Sequence, residues 1–248
     1  MNYKLSVKNI NKEYKNKGGN TIAIKDISFN LKQGEIIAVI GTSGCGKSTL
    51  LNIISGLDKA TSGICTFDKD NPIISYMLQS DALLPWRNVL DNACLGLELM
   101  HKKNKESIDY VKNLLKEYGL DEFIDKMPSS LSGGMKQRVA LIRSLAIKPD
   151  ILLLDEPFSA LDYYTRIKIS EDVYKILKQT NTSTIIITHD IAEALSISDR
   201  IVVLSKRPSI VKKIYEINFN ETDILKKRTT SKFNELYECI WRDLDETL

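Results

Sequence analysis

The sequence predicts an α/β fold: a mixed sheet flanked by helices, preceded by an antiparallel β region and interrupted by a helical insert. Three observations predict it. Ile36–Ile40 and Thr184–Thr188, rich in β-branched residues, and the apolar Ile151–Leu154 are short, continuous runs separated by helix-spaced segments, as buried parallel strands are. Ahead of them, Leu5, Val7 and Ile10, then Ile22, Ile24, Ile27, Phe29 and Leu31, alternate with polar residues, as strands with one buried face do. From Val89 to about Met127 the spacing changes, with Ile108, Val111, Leu114, Leu115 and Tyr118 three and four apart.

The antiparallel region (1–35) carries a polar stretch from Asn11 to Asn20, read as a connection with Gly18-Gly19 as its turn, and Gly34 closes a second turn. Tyr14 lies in that stretch, either a packing tyrosine or an aromatic face for a base. The run Ile36–Ile40 leads into Gly41-Thr42-Ser43-Gly44-Cys45-Gly46-Lys47-Ser48-Thr49, and a helix follows on Leu50, Leu51, Ile53, Ile54 and Leu57. Strand, glycine-rich loop and helix together make a phosphate-binding loop. Its amides and the helix N-terminus face an anion, Lys47 reaches β- and γ-phosphates, and Ser48 offers a hydroxyl to magnesium. Cys45 is a small filler there. The core is thereby that of a P-loop NTPase.

Strands at Ile64–Phe67 and Ile73–Met77 come next, and Gln79 directly after the second is either a boundary residue or a contact to magnesium and the attacking water. The apolar tetrad Leu83-Leu84-Pro85-Trp86 either packs on its own segment or docks another protein. Leu131-Ser132-Gly133-Gly134 opens a helix through Val139, Ile142 and Leu145. Ser132 caps it and the two glycine amides offer a second anion site, although composition alone reads only as a capped helix start. Pro149-Asp150 ends it. Ile151–Leu154 then leads into Asp155-Glu156-Pro157, two carboxylates at a strand's C-terminal end, where ligands bind such sheets. Asp155 suits magnesium and Glu156 a general base on water. Ser159–Asp162 follows, then a helix from Tyr163 to about Lys178, the strand Thr184–Thr188, and His189, either structural or a γ-phosphate contact. Ile201–Leu204 reads as the last strand. Beyond it a basic tail ends in a helix spaced on Phe233, Leu236, Tyr237, Ile240, Trp241 and Leu244.

The bulk numbers bound the function. The chain of 248 residues carries 35 basic and 32 acidic side chains, a net charge of +3, too balanced to argue for nucleic acid. No apolar run approaches the roughly 18 residues of a membrane span, and Met1-Asn2-Tyr3-Lys4 begins no signal peptide, so the expected location is the cytosol. The four cysteines, Cys45, Cys65, Cys94 and Cys239, are scattered without a C-x-x-C pair, which disfavours zinc and disulfides.

In this order, Tyr14, Gly41 to Ser48, Gln79, Leu131 to Gly134, Ile151 to Glu156, Ser159 to Asp162 and His189 resemble the ATP-binding cassette family across nearly the whole chain. The phosphate loop alone is shared by many NTPases; Leu-Ser-Gly-Gly ahead of the strand aspartate (132 to 155) is specific. The resemblance implies one ATP-binding domain over 1–248, with an antiparallel region (1–35), a core (36–80 and 150–205), a helical subdomain (81–149) and a C-terminal extension (206–248). It implies a head-to-tail homodimer sandwiching two ATP molecules, in which Ser132, Gly133 and Gly134 of one subunit complete the other's γ-phosphate site, Asp162 lies at the seam and Tyr14 stacks on adenine. Magnesium falls to Ser48, Gln79 and Asp155. Asp81 to Arg87, Val89, Asn92, Arg207-Pro208 and the Phe233–Leu244 helix look like nitrate, sulfonate and taurine importer cassettes. That implies membrane permease subunits docked near Leu83–Trp86, indirectly a solute-binding protein, and a place on the cytoplasmic face of the membrane. Met135 departs from the pattern, where many cassettes carry glutamine. The alternatives are a non-transport cassette acting on nucleic acid or ribosomes, for which long coiled-coil inserts are missing, and a phosphate-loop kinase or GTPase, which leaves the second glycine site unexplained.

Overall fold

The computed structural model describes residues 3–16, 19–159, 161–221 and 223–245; Gly18 of the expected Gly18-Gly19 turn and Ala160 of the Ser159–Asp162 loop lie outside them. β1 (Tyr3–Asn16) and β2 (Gly19–Lys32) form a long antiparallel hairpin. β3 (Ile36–Ile40) leaves it for a second sheet, the phosphate loop and α1 (Lys47–Ser55) follow, and β4 (Ser62–Phe67) returns to pair along the other edge of β1. The polar stretch after Asn11 is therefore strand rather than a connection: pairs such as Glu13 with Ile22 and Tyr14 with Thr21 carry the ladder on after the buried face has ended. Register shifts around Ile10, together with Asn9 and Asp26 in left-handed backbone, interrupt the period-two alternation. Ile24 and Ile27, three apart, both reach the core, and Ile22 faces solvent.

The second sheet receives β5 (Ile74–Met77), then a helical stretch of α2 (Val89–Ala93), α3 (Leu95–Leu99), α4 (Lys105–Glu117) and α5 (Gly133–Ala146). β6 (Ile151–Asp155), α6 (Tyr163–Gln179), β7 (Ser183–Ile187), α7 (Ile191–Ile197) and β8 (Arg200–Leu204) alternate after it. β9 (Val211–Glu216), α8 (Ile224–Arg228) and α9 (Ser231–Asp245) complete the described chain. The sheet runs β5-β6-β7-β3-β8-β9, parallel except for β9, which pairs antiparallel with β8. Ile201–Leu204 is thus not the last strand. β9 escapes the sequence pattern because it is an edge strand whose single buried side chain is Tyr215.

β3, β6 and β7 are buried along their whole length, which is why they read as unbroken apolar runs. Their side chains divide by parity. Ile37, Val39, Ile151, Leu153, Ile185 and Ile187 pack toward the first sheet and α1. Leu152, Leu154 and Ile186 pack with α2, α4, α5 and α6, and Ala38 and Ile40 with α7 and α9. Both sides are thereby covered, and because these strands are parallel, the residues after Ile40, Leu154 and Ile187 all emerge at one edge.

Candidate active site

The phosphate loop leaves β3 at that edge. Gly44 and Gly46 have φ of +72° and +117°, backbone that a side chain disfavours. A Cβ on Gly41 would lie 2.8 Å from Cys45 Sγ, so the buried Cys45 fills the inside of the loop, as its size suggested. Lys47 begins α1, and its buried ammonium donates to the Gly41 carbonyl at 2.8 Å and the Thr42 carbonyl at 3.1 Å.

Asp155 closes β6 below this loop. Burial pushes its carboxyl above the usual range, while hydrogen bonds from the Ser48 and Tyr76 hydroxyls pull it back; the Tyr76 bond is 3.3 Å. Glu156, the next residue, turns with φ of +47°, its amide bonded to the Ile187 carbonyl at 2.9 Å. That turn brings its carboxylate between two partners far away in sequence: Gln79 Nε2 donates to Oε2 at 3.3 Å, and His189 Nδ1 lies 3.3 Å from Oε1. A cleft of about 550 Å³ runs from Ser43–Thr49 across to these three side chains, with Arg207 on its wall. The sequence suggested Gln79, Glu156 and His189 one at a time; the structure places them as a single constellation.

Other expected site residues stand elsewhere. Ser132 caps α5, its Oγ accepting from the Met135 amide at 3.3 Å, and a Cβ on Gly134 would meet Thr165 Cγ2 of α6 at 3.1 Å, while Gly133 has open space around it. Asp162 caps α6 through the Thr165 amide at 3.1 Å, and bonding to Thr165 holds its carboxyl below the usual range. Neither Ser132–Gly134 nor Asp162 lines the cleft of its own chain. Tyr14 is also outside it; its hydroxyl donates to Asp58 Oδ2 at 3.0 Å and the Lys12 ammonium sits 4.7 Å over one ring face.

The tetrad after Gln79 is held from behind. Leu83 packs on the core, and Trp86 is 71% exposed. The fully buried Asn92 accepts from the Leu84 amide at 2.7 Å and donates to the carbonyls of Leu84, Arg87 and Asn88. Arg143 of α5 donates to the carbonyls of Asp81 and Ala82 at 2.6 and 2.8 Å, and Arg87 makes a bidentate pair with Glu98. These braces carry no local sequence signal, because each depends on a loop folding back over a helix.

Among the described residues no three His, Cys, Asp or Glu side chains gather as a metal site. The oxygens that are present, Ser48 and Asp155 with the Gln79 amide near Glu156, suit a hard cation that shares its ligands with phosphate and water.

A glycine-rich loop at the end of one parallel strand, with an acidic pair at the end of another, defines a nucleoside triphosphatase site. The model of the ABC transporter family matches residues 24–159. The nitrate import ATP-binding protein NrtD of Synechococcus elongatus is 40% identical over 85% of this chain and 80% of its own. The taurine import ATP-binding protein TauB of Jannaschia sp. is 37% identical over 98% and 96%. A dimeric post-hydrolysis structure of the cassette MJ0796 bound to ADP and Pi superimposes with a TM-score of 0.74 at 33% identity, covering 87% of this chain and 99% of that one. The chain belongs to the ABC transporter family and is an ATP-binding cassette ATPase.

Proposed function

We propose that this cassette hydrolyses ATP at the interface of a head-to-tail homodimer to drive import of a small solute, nitrate-, sulfonate- or taurine-like, through separate membrane permease subunits. One observation carries the reading. Gln79, Glu156 and His189 converge on the phosphate loop, whereas Ser132–Gly134, the second glycine-lined anion site, stay outside the same cleft. A second copy supplies what one chain lacks.

In this reading residues 41–49 cradle the phosphates and Lys47 exchanges its two carbonyls for phosphate oxygens. Ser48, Asp155 and Gln79 would hold magnesium, which neutralises phosphate charge when bound. Glu156 takes the proton of the attacking water, oriented by Gln79, while His189 bonds the γ-phosphate. Tyr14 stacks adenine on its free face, and Ser132, Gly133, Gly134 and Asp162 meet the partner's nucleotide. The whole of 1–248 acts as one domain, in which the helices of 81–149 carry Leu83–Trp86 as the permease dock. No helix among the described residues is long and apolar enough to cross a membrane. The cassette is held at the cytoplasmic face by that dock, and a solute-binding protein joins only through the permease.

The test is ATPase activity against protein concentration. Specific activity should rise with concentration, and Ser132→Ala should lower turnover at least tenfold while each monomer still binds ATP. Activity linear in protein and indifferent to Ser132 would refute the shared site; failure to copurify with an integral membrane protein would refute the importer assignment.

A further inference from the structure

Arg207 stands on the wall of the phosphate cleft with no role yet assigned. It lies three residues beyond β8, whose Leu204 backs directly onto Gly41. Two residues further, Ser209 is tied to β2 by backbone bonds, its amide to the Ala23 carbonyl at 3.0 Å and its carbonyl to the Lys25 amide at 2.8 Å. The loop bearing Arg207 is thus fixed at both ends against elements that frame the phosphate loop. Arg207 Nη2 donates to the Gly44 carbonyl at 2.8 Å, and its side chain borders the same cleft as Lys47, Ser48 and Thr49.

The charges of the cleft make this position matter. Lys47 acts on the Asp155 carboxylate and His189 stands beside Glu156, while Lys47 and Arg207 are the lysine and arginine lining the cleft. Both cations rest on neutral carbonyls of one loop, Lys47 on Gly41 and Thr42, Arg207 on Gly44. A phosphate oxygen is a stronger acceptor than a carbonyl for either. Guanidinium also carries five donors in a rigid fork, so it can keep Gly44 and offer other N–H groups to a ligand.

We propose that Arg207 is a second cationic ligand of the ATP polyphosphate, acting in cis with Lys47. The proposal rests on ATP occupying this cleft. It places part of the affinity for phosphate in the turn after β8, outside the phosphate loop, the carboxylate pair and the glycine-lined stretch.

Calorimetric titration of the full chain with ATP, ADP and AMP tests it. Arg207→Ala should bind ATP about tenfold more weakly, with AMP changed less than twofold, and Arg207→Lys should recover part of the loss. Because the residue is exposed, the ligand-free thermal midpoint should not move. Unchanged ATP affinity in Arg207→Ala would overturn the proposal. So would equal losses for ATP and AMP with a lowered midpoint, which mark a brace for the loop instead. Lys47→Ala separates the two levels: if it too leaves ATP binding intact, the placement of ATP in this cleft fails first.

Discussion

Asn92 offers a direct measurement of how the exposed tryptophan is held. Its side chain is fully buried, with the Leu84 amide on its oxygen and three carbonyls, those of Leu84, Arg87 and Asn88, sharing its two N–H hydrogens. That amounts to three hydrogen bonds' worth of donor and acceptor capacity. At a net value of about 1 kcal/mol each, Asn92→Ala should lose roughly 3 kcal/mol of stability. Asn92→Asp should lose more, because it keeps the acceptor for Leu84 but turns an anion toward the carbonyls that the amide satisfied. Urea denaturation gives both values. The chain has two tryptophans, so a Trp241→Phe background leaves Trp86 as the sole indole fluorophore, and its emission should change as the loop loosens. A loss under about 1 kcal/mol in Asn92→Ala, with Trp86 emission unaltered, would mean that Arg143 and the Arg87–Glu98 pair hold the loop unaided. A milder effect of Asn92→Asp than of Asn92→Ala would contradict the donor assignment.

Glu156→Gln should bind ATP with near wild-type affinity but hydrolyse it about 10²–10⁴-fold more slowly, trapping a dimer visible by gel filtration; wild-type turnover would remove Glu156 from its role. Trp86→Ala should weaken permease binding by about 2 kcal/mol while sparing basal ATPase, and unchanged transport per ATP in reconstituted vesicles would count against the dock. Glu193 of α7 is buried beside Asp190, bonded to Thr188 and near Arg166 and Arg228, and burial pushes its carboxyl up to about 8. The unfolded chain then releases this proton at lower pH than the folded one, so the group erodes stability as pH rises from about 5 to 8, by up to ~1.4 kcal/mol per unit. Glu193→Gln should therefore raise the thermal midpoint at pH 8 and hardly move it at pH 5; equal shifts at both would show that Glu193 does not stay protonated in the fold.

Much of the fold was legible because burial on both faces writes itself as continuous apolar runs, as in β3, β6 and β7. β9 was not, since only Tyr215 of its six residues is buried. Nor was the continuation of β1 and β2 past Asn11, where the ladder runs on with polar side chains. For the site, the phosphate loop and the Asp155-Glu156 pair are local strings, and a string suffices to recognise them. The meeting of Gln79 with Glu156, 77 positions apart, is made by the β5–β6 pairing and by the backbone turn at Glu156, which no local pattern contains. Asn92 and Arg207 were visible only through likeness to importer cassettes; what they touch required the loops in three dimensions.

The backbone at Glu156 has a consequence of its own. A φ of +47° is territory where a β-carbon costs of order 1 kcal/mol, and where glycine or asparagine sits at ease. The carboxylate is therefore kept in opposition to what folding alone would choose. Replacing it with asparagine should silence the enzyme yet give a chain that melts no lower, and a lower midpoint would show that the main chain there is relaxed. On the role proposed for Glu156, backbone ease and turnover favour different residues at this position, so an inactive Glu156→Asn variant should accumulate in the cell as well as the working protein does.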